Sequence, residues 1–245
     1  MPYCRLLPDS TADGPWQMAS DEVMLESAAA GAASIRFYRW SQPTLSLGYF
    51  QREAVRRSDP RLARLPFVRR ATGGAALVHD NELTYAIALP SGPDWHRPGV
   101  NWLDHMHAVV ATALGRLGVE VRAVARGAER KLGEVLCFLD QTPGDLIASG
   151  HKVVGSAQRK HRAALLQHGG ILLARSDAAP ALPGLHELAG LSDQEFAAVE
   201  RGILAVLREQ EGWQILPGDW TDAEALRRDE LIRSKYTSAS WNMKR

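Results

Sequence analysis

Gly144-Asp-Leu-Ile-Ala-Ser-Gly-His-Lys-Val-Val-Gly-Ser-Ala-Gln158 places one lysine, Lys152, inside an apolar strand that ends in small residues. An ammonium beside Val153 and Val154 is costly to bury without a partner, so the stretch predicts a cation aimed at a negative or developing charge. The Gly155-Ser156-Ala157 run after it reads as a turn. Upstream lies a second unusual element, Arg69-Arg-Ala-Thr-Gly-Gly-Ala-Ala-Leu-Val-His-Asp80, whose Gly73 and Gly74 allow backbone to approach a bound group closely. Together the two segments point to a site that handles an acyl group. Gly73-Gly74 is no phosphate loop, because the Gly-Lys-Ser/Thr ending that holds phosphate and magnesium is missing.

Working outward, the chain mixes strands and helices without an internal repeat. Ser20-Asp-Glu-Val reads as a helix start, with a hydroxyl cap and two first-turn carboxylates, running to about Ala30. Ile35–Trp40, Thr44–Tyr49, Ala75–Val78 and Leu83–Leu89 read as strands, rich in branched and aromatic residues and bounded by Pro or Gly. Asn101 caps an amphipathic helix over Trp102–Leu117, with Leu103, Met106, Val109, Val110, Ala113, Leu114 and Leu117 on one stripe. More strands are expected from Val119 to about Leu173. Ser192-Asp-Gln-Glu195 and Thr221-Asp-Ala-Glu224 are capping boxes, so helices are expected over Asp193–Glu209 and Asp222–Ile232.

With 245 residues, 45% of them hydrophobic, the chain can bury a full core as one domain, 1–245, with a short helical extension from about residue 185. Lys and Arg total 29 against 28 Asp and Glu, which argues for no polyanionic partner. The seven tryptophans are scattered rather than interleaved with a basic stripe, so single-stranded nucleic-acid binding is not expected. Arginines cluster at Arg52, Arg56, Arg57, Arg61, Arg64, Arg69 and Arg70. Such runs are usually a solvated face; the sharper reading is a dock for an acidic carrier protein. Cys4 and Cys137 stand too far apart in sequence for a disulfide framework, and no apolar run is long enough to span a membrane. A cytoplasmic protein without a membrane partner is expected.

Pro43-Thr-Leu-Ser-Leu-Gly-Tyr-Phe-Gln51, the Arg69-Arg-Ala-Thr-Gly-Gly74 loop, His79-Asp-Asn-Glu-Leu-Thr-Tyr85, Lys152 through Gln158, and Gln167-His-Gly-Gly-Ile171 occur in one order. In that order they resemble the catalytic core of the lipoate-protein ligase, biotin ligase and octanoyltransferase superfamily, over residues 18–172. Ala75 stands where the family's loop usually has a third glycine, and Lys235-Tyr-Thr-Ser-Ala-Ser-Trp-Asn242 resembles the family's closing segment. The resemblance implies an α/β (α+β) fold: a mixed, largely antiparallel sheet flanked by helices. Glu134-Val-Leu-Cys-Phe138 resembles the Cys-Phe context of the octanoyltransferases related to lipoate ligases.

That likeness implies an acyltransferase moving octanoyl from acyl carrier protein to a lipoyl domain or the glycine-cleavage H protein. Cys137 would carry the acyl group as a thioester, and Lys152 would favour its thiolate and stabilise the oxyanion, together with donors of Gly155, Ser156 and Ala157. Arg70, Thr72, Gly73, Gly74, His79 and His168 are implied to line the substrate. No metal site is expected, since no cysteine or carboxylate accompanies these histidines at zinc spacing. No cofactor is needed with a thioester donor. The alternatives are an amidotransferase between lipoyl-accepting proteins and an ATP-dependent lipoate ligase. In the ligase, which alone needs ATP and Mg²⁺, Lys152 would neutralise an acyl-adenylate and Cys137 would be a bystander. A non-catalytic carrier-binding protein is disfavoured by the intact Cys137 and Lys152.

Overall fold

The computed structural model describes residues 1–96, 99–132 and 135–244; Glu134, the first residue of the Cys137 motif, lies outside the described residues. In chain order the elements are β1 (Tyr3–Leu6), β2 (Ser10–Ala12), α1 (Gly14–Ala29), β3 (Ser34–Trp40), β4 (Thr44–Leu47), α2 (Pro60–Arg64), β5 (Phe67–Arg69), β6 (Leu77–His79), β7 (Glu82–Pro90) and α3 (Trp102–Gly115). They continue as β8 (Arg122–Ala123), β9 (Leu146–Ala148), β10 (His151–His161), β11 (Ala164–Leu172), α4 (Leu185–Ala189), α5 (Asp193–Glu211), β12 (Gln214–Pro217), α6 (Asp222–Leu231) and α7 (Ala239–Asn242).

Two sheets organise these elements. The larger runs β12-β1-β3-β7-β11-β10-β9-β8 with β2 beside β3, and the smaller runs β5-β4-β6. From β3 to β8 every pairing is antiparallel, while β1 pairs parallel with both β3 and β12. The fold is therefore mixed and largely antiparallel, as the sequence implied. One face of the large sheet packs α3 and α5 around Phe37, Tyr85 and Ile87; the other packs α1 around Tyr38, Ala86 and Ala88. This split follows from strand alternation, which sends neighbouring residues of β3 and β7 to opposite faces.

Several local expectations change. The first helix begins at Gly14, not near Ser20: Asp13 is the cap, accepting from the Trp16 amide at 3.0 Å, and Pro15 sits in the first turn. Ser20 is buried mid-helix instead. Gly155-Ser156-Ala157 is not a turn but continues β10, paired residue for residue with Gly170, Gly169 and His168 of β11. Ala75 needs no left-handed backbone, since in that loop only Gly74 has positive φ, at 90°. The carboxyl-terminal helices form as the capping boxes predict, and the strand β12 between them joins the large sheet. The tail then folds back: Asn242 accepts from the Arg69 amide at 2.8 Å, and the Trp241 indole donates to Arg69 O at 2.9 Å. The arginine run is no single face, because Arg69 and Arg70 are buried and Arg56 is committed to Glu53, the Ala63 carbonyl and the Phe67 ring.

Glu224 does more than complete its capping box. Its carboxylate also accepts from Arg5 at 2.6 Å and Ser27 at 2.6 Å, tying α6 to β1 and α1. Burial opposes its ionisation, but the Arg5 and Ser27 hydrogen bonds and the Thr221 amide prevail and hold it down at about 2, against an ordinary 4.5. A group whose folded pKa is depressed stabilises above its unfolded value and loses that contribution as pH falls through the folded one. Glu224→Gln should therefore lower Tm at neutral pH, and the gap from wild type should close between about pH 4.5 and pH 2. Thermal melts of both proteins across that range check this.

Candidate active site

Lys152 meets its partner a few residues back in the same stretch. Its Nζ lies 2.7 Å from Asp145 Oδ2, 3.3 Å from the Cys137 carbonyl and 3.6 Å from Cys137 Sγ, with Lys152 only 3% exposed. Asp145 is itself fixed, accepting from the Thr142 amide at 2.7 Å and hydroxyl at 2.8 Å. Regular alternation would send Lys152 and Gly155 to opposite faces of β10, but the register shifts between Lys152 and Val154. This irregularity re-aims the lysine onto the face of Gly155. A Cβ at Gly155 would fall 2.5 Å from Lys152 Cε, so only glycine lets the side chain lie flat there.

On the α1 face, register aligns Gly155, Gly170, Thr84 and Tyr38 in one row across β10, β11, β7 and β3. Small residues at the first three positions leave a trough, and at about 4.8 Å per strand it runs roughly 14 Å from Lys152 to Tyr38. The small sheet roofs it with Leu77 and His79; Met18, Cys137 and Phe138 complete the walls. The lining residues border about 460 Å³ of space, part of it open to solvent. That is a slot of small-molecule size.

The roof loop is pinned at both ends by buried histidines. Arg70 donates to Ser46 O at 3.0 Å, Gly73 O at 3.1 Å and Ala75 O at 2.9 Å, and also bonds the Ser46 hydroxyl. His79 Nε2 sits 2.6 Å from that hydroxyl, its Nδ1 2.5 Å from Glu82, and its ring stacks on Trp40. Burial lowers the pKa of His79, with Arg70 adding to the effect and Glu82 opposing it. The neutral ring then donates from Nδ1 to Glu82 and accepts from Ser46. At the other end, His168 spans Thr72 Oγ1 at 2.7 Å and Asp21 Oδ2 at 2.7 Å, and Asp21 pairs with fully buried Arg36 at 2.6 Å. A third histidine, His107 of α3, bonds Ser156 Oγ at 2.6 Å, so that side chain faces away from the slot.

Thus Cys137, Arg70, Gly74, His79, Gly155, Ala157 and His168 all line one slot, which Ser156 borders while its hydroxyl points to α3, and Lys152 lies behind Cys137 and over Gly155. Thr72 acts on the slot through His168, and Gly73 lies in the loop that Arg70 holds. Sequence reading missed Asp145, Asp21, Ser46, Glu82 and the Met18–Tyr38 end wall. For Asp145 the signal was present: it is the carboxylate of the quoted stretch. Cys4 offers no rival nucleophile, since burial pushes its thiol up to about 12, whereas Cys137 is partly exposed. Among the described residues, no three His, Cys, Asp or Glu side chains converge as metal ligands, and no helix is long and apolar enough to cross a membrane.

Comparison with known proteins agrees with this geometry. Residues 13–195 match the lipoyl protein ligase A/B catalytic domain. The octanoyltransferase LipM of Moorella thermoacetica is 30% identical over 274 residues, covering 98% of each chain. That of Brevibacillus brevis is 29% identical over 267 residues, covering 93% of this chain and 94% of its own. Among solved structures, a putative lipoate protein ligase from T. acidophilum with bound lipoic acid superposes with a TM-score of 0.80 at 22% identity over 100% of both chains. A lipoate-protein ligase A bound with ATP gives 0.77 at 21% identity over 99% of both. At those identities the likeness shows the fold.

The buried ion pair generates a stability test. Removing one partner of such a pair strands the other charge and costs about 3–5 kcal/mol. Asp145→Asn should therefore lower unfolding free energy by about 3 kcal/mol, and Asp145→Asn/Lys152→Met should regain much of it. Denaturant titration of wild type and both variants measures the recovery.

Proposed function

The chain belongs to the lipoyl protein ligase A/B catalytic-domain family and is an acyltransferase serving octanoyl transfer in lipoate biosynthesis; from that premise we propose that the acyl group travels on Cys137. The donor is octanoyl-acyl carrier protein, and the acceptor is a lysine of a lipoyl domain or of the glycine-cleavage H protein. In the first half-reaction Cys137 Sγ attacks the donor thioester carbonyl. The donor C–S bond breaks, and the carrier leaves as its thiol with a proton. In the second, the acceptor amine attacks the Cys137 thioester, an amide forms, the Cys137 sulfur departs, and the amine's remaining proton passes to solvent. No bond to phosphate forms or breaks, so this route consumes no ATP.

The observation that carries this reading is the Lys152 ammonium 3.6 Å from Cys137 Sγ at one end of a slot of alkyl width. A positive charge there opposes the charge on sulfur when it is the nucleophile or the leaving group. The same ammonium is within reach of a tetrahedral oxyanion on the carbon bound to sulfur, where one such donor is worth about 3 kcal/mol of barrier. Asp145 keeps Lys152 in place through both steps. An extended eight-carbon chain, with bonds of about 1.5 Å in zigzag, is roughly 9 Å long. From Cys137 it spans two strand spacings and ends before Tyr38.

Cys137→Ala and Cys137→Ser should cut acyl transfer at least about 100-fold while leaving the melting curve unchanged within a few degrees. Lys152→Arg should lose nearly as much as Lys152→Ala, because a planar fork does not fit the place of a compact ammonium above Gly155. Initial rates with octanoyl-carrier and an acceptor domain decide both. A Cys137→Ala enzyme retaining a tenth of the wild-type rate would rule out the thioester route, and a normal Lys152→Arg enzyme would reduce Lys152 to a bare positive charge.

A further inference from the structure

Beside Gly74, which is exposed and lines the slot, Phe50 presents its ring to solvent at 69% exposure. The ring lies 4.0 Å from where a Cβ on Gly73 would sit, so it belongs to the rim of the slot. The 48–51 segment that carries it is rigidly held. The Tyr49 amide donates to Thr72 O at 2.8 Å, Gly48 N to Gln51 Oε1 at 3.0 Å, and Arg69 donates to Gly48 O at 2.9 Å and Gln51 O at 2.6 Å. Tyr49 meets Phe50 edge-on at 4.9 Å and Trp241 at 5.7 Å. Met243 adds a second exposed apolar side chain, and Lys244 Nζ sits 3.5 Å over the Tyr49 ring.

Cations are carried by the same rim segments. Arg52 is exposed directly after the segment, and Arg159 donates to Ala71 O of the roof loop at 3.1 Å, while Lys235 nearby is already paired with Glu22. A preordered exposed aromatic within a cationic border matches the anchor-and-rim pattern of a protein interface.

We propose that the rim formed by Phe50 and Met243, bordered by Arg52, Arg159 and Lys244, is the docking surface for the acceptor: a folded protein domain with acidic surface around its target lysine. This rests on the transfer reading above. The acceptor is favoured over the donor by reach. A lysine side chain extends only roughly 6 Å from its Cα, so the acceptor backbone must come down onto the rim to deliver its amine to a thioester on Cys137. A donor whose thioester sits on a long flexible arm has no such need. Acidic groups around the target lysine complement the border, and their attraction acts mainly on encounter rate.

The test separates docking from chemistry by loading Cys137 from a small octanoyl thioester and then discharging it. Phe50→Ser should lower kcat/KM for transfer to a folded lipoyl-accepting domain at least about tenfold, while loading, and discharge to hydroxylamine, remain as in wild type. Lys244→Glu should show a smaller loss that shrinks as salt is raised. Domain transfer within twofold of wild type in Phe50→Ser would overturn the dock, as would an equal loss with hydroxylamine, which would assign Phe50 to the slot's integrity. If wild-type enzyme never loads, the transfer reading fails first; if it loads and Phe50→Ser transfers normally, the dock alone fails.

Discussion

A buried lysine charge is the constraint around which the site is built. Lys152 is stranded among valines on the strand that forms the slot floor, and its burial is tolerable only because Asp145 lies 2.7 Å away. Each feature nearby serves that contact. The irregular register of β10 turns the lysine onto the slot face, Gly155 leaves room for its methylenes, and Thr142 orients the carboxylate. Gly144, with φ of 89° and Asp104 only 2.6 Å from where a Cβ would be, allows the turn that delivers Asp145. A well-packed apolar pair would serve stability equally well. On the proposed route, the charge serves the chemistry at Cys137.

The second requirement is a slot of fixed width, and the protein builds it from two sheets rather than from a loop alone. The large sheet supplies a floor of small residues in register, and the small sheet supplies a roof whose carbonyls Arg70 gathers. Two hydroxyl–histidine–carboxylate chains, Ser46–His79–Glu82 and Thr72–His168–Asp21, hold the ends of that roof. The second chain continues through Asp21 to Arg36, whereas in the first Glu82 leaves its Oε2 buried without a hydrogen-bond partner among the described residues. Gly48 shows how tightly roof and neighbouring turn are fitted, since a Cβ there would lie 1.8 Å from Gly74 O. The carboxyl-terminal tail locks the same region from outside through Asn242 and Trp241 on Arg69.

Much of this was legible in the sequence, and the misses have physical reasons. The anomaly of Lys152 in an apolar strand was readable because burying a cation is costly wherever it occurs. Its partner was harder to read, because the turn at Gly144 and the shifted register decide which side chains meet. The small residues after Lys152 suggested a turn by local propensity, yet they sit mid-strand because their task is to keep the floor low. Ser20-Asp-Glu imitates a helix cap, while Asp13 and Pro15 hold the true start of the first helix. The arginine run looks uniform as text; burial divides it into Arg69 and Arg70, which are buried, and exposed members such as Arg52. The slot itself depends on alignment across four strands, which no local pattern encodes.

The account stands on Cys137 as the residue that carries the acyl group, with Lys152 as its electrostatic support. The most direct measurement is intact-protein and peptide mass spectrometry after brief incubation with octanoyl-acyl carrier protein, without ATP or acceptor. One octanoyl group should appear, map to the peptide containing Cys137, be removed by hydroxylamine, and vanish on addition of the acceptor domain as that domain gains it. No adduct on wild type, an adduct on a residue other than Cys137, or acceptor modification that proceeds only with ATP and free octanoate would contradict it.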